Sequence, residues 1–450
     1  MNTVPVTCNK DCGGGCPLLA HKENGKIVKI TDNPAGTEYM TGCPRGYMGH
    51  LALYTPDRIT APLIRSGPRG SGTFLEASWE EAIEQTAAHL IQSIEEERTE
   101  GILRLGGSGS CESVLHNTNS LTKRFLSLLG PYAERSGSYS SGAELFTMPF
   151  MFGSVPYGLD PATLLQSKFI ILWGMNPADT IFGCELRTYL AEARERGIPI
   201  IVIDPRKTPT VRRFATQWIS ILPGTDSVLM AAVLYVLITE GLLDRPFLEN
   251  CTQGFENIEA YILQEHPKTP EWAEKVCGVP AVTIRNLALQ YGKAKPAALL
   301  PGLSIQRTLG GEEAMRMGVV LQAAAGNIGV PGGSSGSNIW GRLPRPKCGK
   351  ISDYPVYPFS EVDRPLVPEY LWAEAVLRGR AGGFAADIHG IYSVGGNFIN
   401  QGADIKKNIV AFKKVDWIVC HEAFMTPTAR WADIIRSEER RVGKECRSRW

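Results

Sequence analysis

Four of the chain's eleven cysteines fall within its first 43 residues, as Cys8, Cys12, Cys16 and Cys43, in the spacing Cys-x3-Cys-x3-Cys-x26-Cys. The other seven are scattered singly: Cys111, Cys184, Cys251, Cys277, Cys348, Cys420 and Cys446. Three thiols on one tight loop and a fourth from a later turn can enclose a compact metal centre. Soft thiolate ligands select zinc, copper(I) or iron–sulfur. Gly13, Gly14 and Gly15 let the backbone wrap closely around such a centre. Pro17 and Pro44 each follow a cysteine, as in iron–sulfur loops. Structural zinc more often takes two paired Cys hairpins, so the three-then-one order suits a cubane better. Two alternatives stand beside it. A zinc module predicts a colourless protein. A disulfide pair needs an oxidising compartment, and no secretory leader precedes Cys8.

The 450 residues are enough for several domains or one large composite. Hydrophobic residues make up 43% and charged ones 21%, the balance of an ordinary soluble globular protein. The longest apolar run, Val228 to Ile238, is too short to cross a bilayer and reads as a buried helix. Arg436 to Trp450 reads RSEERRVGKECRSRW, which resembles the translation of a sequencing adapter. It is polar and aperiodic, and residues 436–450 are set aside as an artefact rather than a basic binding tail. Without its six basic and three acidic residues the chain is slightly acidic, so no case for nucleic acid survives.

Residues 1–60 read as short strands and turns around the cysteines. Leu18–His21 and Lys26–Ile30 flank Asn24-Gly25, a strong hairpin signal. Ser78 with Glu81 three residues on predicts a capped helix over Trp79 to Glu96. Strands and helices then alternate. Ile102–Leu105 is a strand and Ser113–Leu129 a helix. Phe169–Trp173 is a continuous apolar strand. Ile181–Arg196 is helical, stopped by Gly197 and Pro199, and Ile200–Ile203 is the next strand. Buried strands joined by helices indicate a parallel sheet covered on both faces.

An internal repeat follows the same logic. Trp173-Gly174-Met175-Asn176 closes one strand and Val394-Gly395-Gly396-Asn397 another. Downstream of the first stand Asp204 and Thr208-Pro209-Thr210-Val211-Arg212-Arg213. Downstream of the second stand Glu422 and Thr426-Pro427-Thr428-Ala429-Arg430-Trp431. Two related α/β units would present the same ligand-binding edge twice, at the carboxyl ends of parallel strands. Ordinary turn chemistry also favours Gly and Asn, and is the competing explanation for either copy alone. Gly106-Gly107-Ser108-Gly109 follows a strand like a dinucleotide fingerprint, but lacks the third glycine, so a nicotinamide site is weakly supported.

Together these pieces resemble the dimethyl sulfoxide reductase family of molybdenum enzymes, over residues 3–435. The resemblance implies that Cys8, Cys12, Cys16 and Cys43 hold a [4Fe–4S] cluster. Arg45, in Cys43-Pro44-Arg45-Gly46, takes the family's basic position between cluster and pterin. It also implies bis-molybdopterin guanine dinucleotide carrying molybdenum, with tungsten possible. Gly174-Met175-Asn176-Pro177 is similar to the family's pterin loop. Asp204-Pro205-Arg206 and Gly224-Thr225-Asp226 are similar to its guanosine loops. An aspartate there can accept both N1–H and the exocyclic amine of guanine. Gln306-Arg307 and 326–333 match later cofactor stretches. Gly396-Asn397 and 428–433 match the second dinucleotide half.

In the resemblance, Gly137-Ser138-Tyr139-Ser140 occupies the metal-ligand loop. Ser140 then supplies a hard oxygen donor suited to a high-valent metal. Ser138 stands where the family has aspartate, which puts the loop's surroundings, and so the substrate, in question. The implied reaction is oxygen-atom transfer from an oxidised small molecule, S-oxide or N-oxide type, consuming two electrons and two protons and releasing water. Selenate, polysulfide or thiosulfate reduction, and a catalytically silent iron–sulfur subunit, are the alternatives. A ferredoxin-like iron–sulfur subunit and a membrane-anchor subunit are the implied partners.

The expected fold is α/β: an N-terminal iron–sulfur subdomain with short strands over 1–60, then a region over 61–435 holding two related α/β units with mostly parallel sheets. The first dinucleotide unit is expected over about 160–300 and the second over about 380–435. A C-terminal β-barrel domain is expected to be missing, so that the fragment itself would not turn over. With no leader visible, a cytoplasmic location is expected.

Overall fold

The computed structural model describes residues 2–8, 10, 12, 14–107, 118–154, 158–182, 185–264, 266–337, 339 and 364–436. They form two compact units, residues 1–137 with 350–450, and residues 138–349.

The first unit opens with an antiparallel sheet of β1 (Asn2–Thr7), β2 (Pro17–Glu23) and β3 (Lys26–Asp32). Asn24 (φ 48°) and Gly25 (φ 79°) make the β2–β3 turn. Two left-handed residues in succession are what a tight right-twisted hairpin requires, and Asn-Gly supplies them at least strain. The β1–β2 connection carries Cys8, Cys12 and Cys16, and is closed by the Cys8 N–H donating to the Cys16 carbonyl at 2.9 Å. Cys43 immediately precedes α1 (Pro44–Tyr47), which starts on proline as helices favour.

Next come the hairpin strands β4 (Leu63–Arg65) and β5 (Phe74–Glu76), then α2 (Trp79–Glu95). Ser78 Oγ accepts from the Glu81 N–H at 3.1 Å, so the cap read from the sequence forms. β6 (Ile102–Gly106), α3 (Thr118–Ser127) and β7 (Ala133–Ser136) follow. The expected helix start at 113 lies outside the described residues, as do Ser108 and Gly109.

In the second unit, α4 (Gly142–Phe152) precedes β8 (Phe169–Trp173), α5 (Glu185–Glu195), β9 (Ile200–Ile203), α6 (Pro209–Phe214), β10 (Gln217–Ile219), α7 (Asp226–Thr239) and β11 (Ala297–Pro301). Helix α5 begins later than the expected Ile181; residues 183–184 lie outside the description, and 181–182 are not helical. The strands lie parallel in the order β10-β9-β8-β11. Every residue of β8, β9 and β11 is buried, which is why these strands read as unbroken apolar runs. Helix α7, carrying the Val228–Ile238 run, is apolar all round and packs inside the same core.

The chain returns to the first unit through β12 (Leu366–Pro368), β13 (Gly390–Val394), β14 (Trp417–His421) and β15 (Ile434–Arg436). Its eight-stranded sheet has the order β12-β7-β6-β13-β14-β15-β4-β5. The pairs from β12 to β15 are parallel; β4 and β5 add an antiparallel edge. Arg436, the first residue of the segment set aside, pairs with His421 in this sheet; residues 437–450 lie outside the description.

Each parallel array changes direction once. In the second unit the chain leaves β8 towards β9 and β10, with β11 on the other side. In the first unit it leaves β6 towards β7 and β12, while β13 leads to β14 and β15 the other way. The switch points are therefore β8/β11 and β6/β13, where strand-end loops diverge and leave a crevice. Among the described residues no helix is long and apolar enough to cross a membrane.

Candidate functional site

None of the four N-terminal cysteines is in a disulfide; Cys16 and Cys43 are buried and Cys8 and Cys12 half-buried. Burial pushes the Cys8 thiol above its ordinary value. A hydrogen bond from the Lys10 backbone opposes this, and the neighbouring Cys12 and Cys43 raise it further. A Cβ on Gly46 would lie 3.4 Å from Cys8 Sγ, so the stretch after Cys43 passes close to the first cysteine. Thiols that gather from both segments fit a cluster whose irons would offset their mutual repulsion. Among the described residues no group of His, Cys, Asp or Glu is drawn tightly enough to hold one ion, and a four-iron cage asks for a wider set. Arg45 is exposed on α1, two residues beyond Cys43.

At the β8/β11 switch point the backbone itself is the wall. Gly174 turns at φ 60°, and a Cβ on Gly302 would lie 2.1 Å from the Gly174 carbonyl oxygen. Ser304 Oγ donates to that same carbonyl at 2.6 Å. Beside this contact opens a cavity of about 320 Å³, lined among others by Gly174, Asp204, Arg206, Gly224 and Asp226. That volume suits part of a small ligand. Five residues singled out in the sequence thus meet in one place. Ser304, Ile305 and Thr308 join them without having been singled out.

The cavity's two carboxylates are nearly closed to solvent, Asp204 at 8% and Asp226 at 7% exposure. Burial raises both above the usual aspartate value. The Arg206 N–H (2.9 Å) and the Trp173 Nε1–H (2.9 Å) oppose the rise by donating to Asp204 Oδ1 and Asp226 Oδ1 respectively. Asp226 also begins α7, where a helix N-terminus favours negative charge.

Asn176 and Pro177 do not line the cavity. The Asn176 Oδ1 accepts from Thr210 Oγ1–H at 2.7 Å and from the Thr210 N–H at 3.3 Å. Thr210 Oγ1 in turn accepts from the Ala178 N–H at 3.0 Å. Asn and Thr thereby latch the loop after β8 to the start of α6, which Thr208 caps through the Val211 N–H.

The first unit repeats this latch bond for bond. Asn397 Oδ1 accepts from Thr428 Oγ1–H at 2.8 Å and from the Thr428 N–H at 3.1 Å, and Thr428 Oγ1 accepts from the Ile399 N–H at 3.0 Å. Thr426 accepts from the Ala429 N–H, as Thr208 does from Val211. The left-handed glycine matching Gly174 is Gly395 (φ 64°), while Gly396 stands opposite Met175. Here too the switch point is bare backbone. A Cβ on Gly106 would lie 2.1 Å from the Val394 oxygen, and one on Gly396 3.1 Å from Gly106 Cα. The Gly106-Gly107 turn, discounted as a nicotinamide fingerprint, thus stands at the second switch point. Sequence spacing could not reveal this, because it depends on β6 lying beside β13.

The Ser140 loop belongs to the second unit. Ser138 Oγ accepts from the Ser140 N–H at 3.0 Å, a local turn bond that an aspartate carboxylate could also make. The Ser140 carbonyl accepts from Gln306 Nε2–H and, at 3.1 Å, from Arg307 Nε–H. Gln306 and Arg307, expected at the cofactor, are therefore placed against this loop, and neither lines the cavity.

Residues 58–435 match the family described as Molybdopterin oxidoreductase, and residues 1–55 match the Molybdopterin oxidoreductase Fe4S4 domain. The chain belongs to the molybdopterin oxidoreductase family. These two matches indicate a molybdopterin and a [4Fe–4S] cluster as the groups it holds. It is 33% identical to dimethyl sulfoxide reductase DmsA of Escherichia coli (strain K12), over 95% of this chain and 57% of that protein. It is 31% identical to the dimethyl sulfoxide/trimethylamine N-oxide reductase of Rhodobacter capsulatus, over 93% of this chain and 55% of that protein. The chain thus spans a little over half the length of these curated relatives. Acetylene hydratase from Pelobacter acetylenicus shares the fold, with a TM-score of 0.67 at 19% identity, over 96% of this chain and 62% of that one.

Proposed function

We propose that the protein carrying this chain reduces an oxidised small molecule, S-oxide or N-oxide in type, at a bis-molybdopterin guanine dinucleotide centre fed by a [4Fe–4S] cluster. The observation that carries the proposal is the duplicated latch: two switch-point crevices with the same hydrogen bonds call for two copies of one kind of ligand. The names of the curated relatives, dimethyl sulfoxide and trimethylamine N-oxide reductases, support the substrate class.

When bound, the molybdenum centre supplies two-electron exchange with an oxygen atom; the protein supplies position and environment. Cys8, Cys12, Cys16 and Cys43 hold the cluster. Arg45, whose planar guanidinium stands on α1 two residues beyond Cys43, serves electron passage between cluster and pterin. Gly174, Asn176 and Pro177 shape the first crevice and Gly396 with Asn397 the second. There the absence of side chains lets a pyrophosphate or pterin approach the backbone. Asp204 and Asp226 accept the N–H groups of guanine, with Arg206 and Gly224 completing the cavity. Ser140 presents a hydroxyl oxygen to the metal. A ferredoxin-like iron–sulfur subunit and a membrane anchor deliver the electrons.

The test is anaerobic. The purified, cofactor-loaded protein is reduced with dithionite, then mixed with dimethyl sulfoxide or trimethylamine N-oxide. Reoxidation of the brown cluster absorbance, with one reduced product for each two electrons consumed, is expected. A protein that holds iron but no molybdenum or tungsten, or that is reoxidised by neither compound, contradicts the proposal.

A further inference from the structure

We infer that Gln306 is a positioning residue for the Ser140 loop, setting the direction of the Ser140 hydroxyl rather than touching the cofactor itself. The inference rests on the proposed role of Ser140 and goes beyond it by naming what holds that serine still.

Gln306 is 4% exposed, so its amide must find partners within the protein. It finds two, both on the loop in question. Its Nε2–H donates to the Ser140 carbonyl, and its Oε1 accepts from the Glu144 N–H at 3.0 Å. That N–H is one of the first-turn donors of α4 that no carbonyl of the helix itself can satisfy. Ser141, at the cap position of α4, makes no side-chain cap bond of its own. Gln306 therefore caps α4 from a distant part of the chain, and the same planar amide grips Ser140, the residue before the cap position. The Ser138 hydroxyl meanwhile accepts from the Ser140 N–H. Both peptide groups of Ser140 are thus fixed. Its own hydroxyl is exposed and has no partner among the described residues. Held backbone with an uncommitted hydroxyl is the arrangement a preorganised ligand needs.

The backbone of Gln306 is itself closely packed. A Cβ on Gly311 would lie 2.5 Å from the Gln306 carbonyl carbon and oxygen, so the start of the following helix sits directly on its backbone. The loop that bears it also supplies Ser304, Ile305 and Thr308 to the cavity. One turn thus lines the cavity beside Gly174 and holds the Ser140 carbonyl.

Gln306→Met keeps the length and loses both bonds. Hydrogen exchange in the apo chain is then expected to speed up about tenfold over 138–146, as loss of one to two buried hydrogen bonds implies. Ser337→Ala is the control. Ser337 Oγ donates to buried Glu144 at 2.8 Å, and its loss disturbs the same neighbourhood without reaching Ser140. In the loaded enzyme, X-ray absorption should show the metal–oxygen shell from the protein weakened in Gln306→Met and intact in Ser337→Ala. Equal loss of the shell in both reduces Gln306 to a general packing role and overturns the inference. So does unchanged exchange in Gln306→Met. If Gln306→Met does not fold, Gln306→Glu is read instead. It keeps the acceptor for the Glu144 N–H and loses the donor, so faster exchange is expected at 138–140 with the helix start still protected. No increase there also overturns the inference. Ser140→Ala tells the two readings apart: an unchanged shell in that variant overturns the ligand role of Ser140, while the exchange data still judge the clamp.

Discussion

At the end of β8, Gly174 turns the chain at φ 60° and Asn176 is held by Thr210; at the end of β13, Gly395 turns it at φ 64° and Asn397 is held by Thr428. Around these matching bonds the side chains differ. Trp173, whose indole holds Asp226, has Val394 as its counterpart, which has no donor to offer. Met175 is matched by Gly396. Asp204, whose Oδ1 accepts from the Arg206 N–H, is matched by Glu422, whose Oε1 accepts from the Ala423 N–H. The bonds that shape the loops are kept and the side chains packed around them are changed. A shared backbone cradle with separate linings is how two chemically alike moieties can be held in unlike surroundings.

The largest effects should come from filling the bare switch points. Gly302→Val and Gly106→Val each drive a side chain into a carbonyl 2.1 Å from where the Cβ would stand. Each is expected to cost about 3 kcal/mol or more, read from urea unfolding, because backbone rather than a flexible side chain must yield. A mild effect at Gly106 alone would mean that the two crevices are not built alike.

Breaking the latches comes next. Thr210 and Thr428 are both wholly buried. Thr210→Val and Thr428→Val keep the shape and remove the hydroxyl, leaving the Ala178 or Ile399 N–H unpaired. About 1–3 kcal/mol each is expected, and similar values for the two. A silent Thr428→Val beside a damaging Thr210→Val would reduce the repeat to a likeness of sequence.

Differences in the side chains behind the two loops predict asymmetry. Trp173→Phe removes the donor to Asp226, at a cost of about 1–2 kcal/mol, while Val394→Ile disturbs no such bond. The pH dependence is smaller still. Burial raises the pKa of Asp204 and Asp226, so on acidification they protonate before an ordinary aspartate would. A protonated carboxyl loses acceptor capacity, so guanosine monophosphate binding at this crevice should weaken as pH falls, starting above the usual aspartate range. Calorimetric titration of wild type and Asp226→Asn checks this, with a shallower pH profile expected for the variant.

Much of the fold was legible because its determinants are local. The strands Phe169–Trp173 and Ile200–Ile203 form as read, since a strand buried on both faces has no reason to carry polar residues. Asn24-Gly25 and Ser78 declare their turn and cap by chemistry alone. The eight-stranded sheet was not legible, because it joins β4–β7 to β12–β15 across residues 138–349, and no local pattern records that pairing. The same limit hid the place of Gly106 at the β6/β13 switch point and Gln306 as a clamp, whose partner Ser140 lies 166 residues away. Asn176 and Asn397 were visible as a repeated motif. That their carboxamides are occupied by Thr210 and Thr428 required the structure.

The central claim is that the two crevices take two copies of one guanine-bearing cofactor. Acid hydrolysis of the purified, molybdenum-loaded protein, followed by chromatographic counting of guanosine monophosphate against molybdenum, tests it most directly. Two nucleotides for each metal atom are predicted, falling towards one when the Thr428 latch is broken in a protein that still folds. A ratio of one in the unaltered protein, or none, would contradict the account.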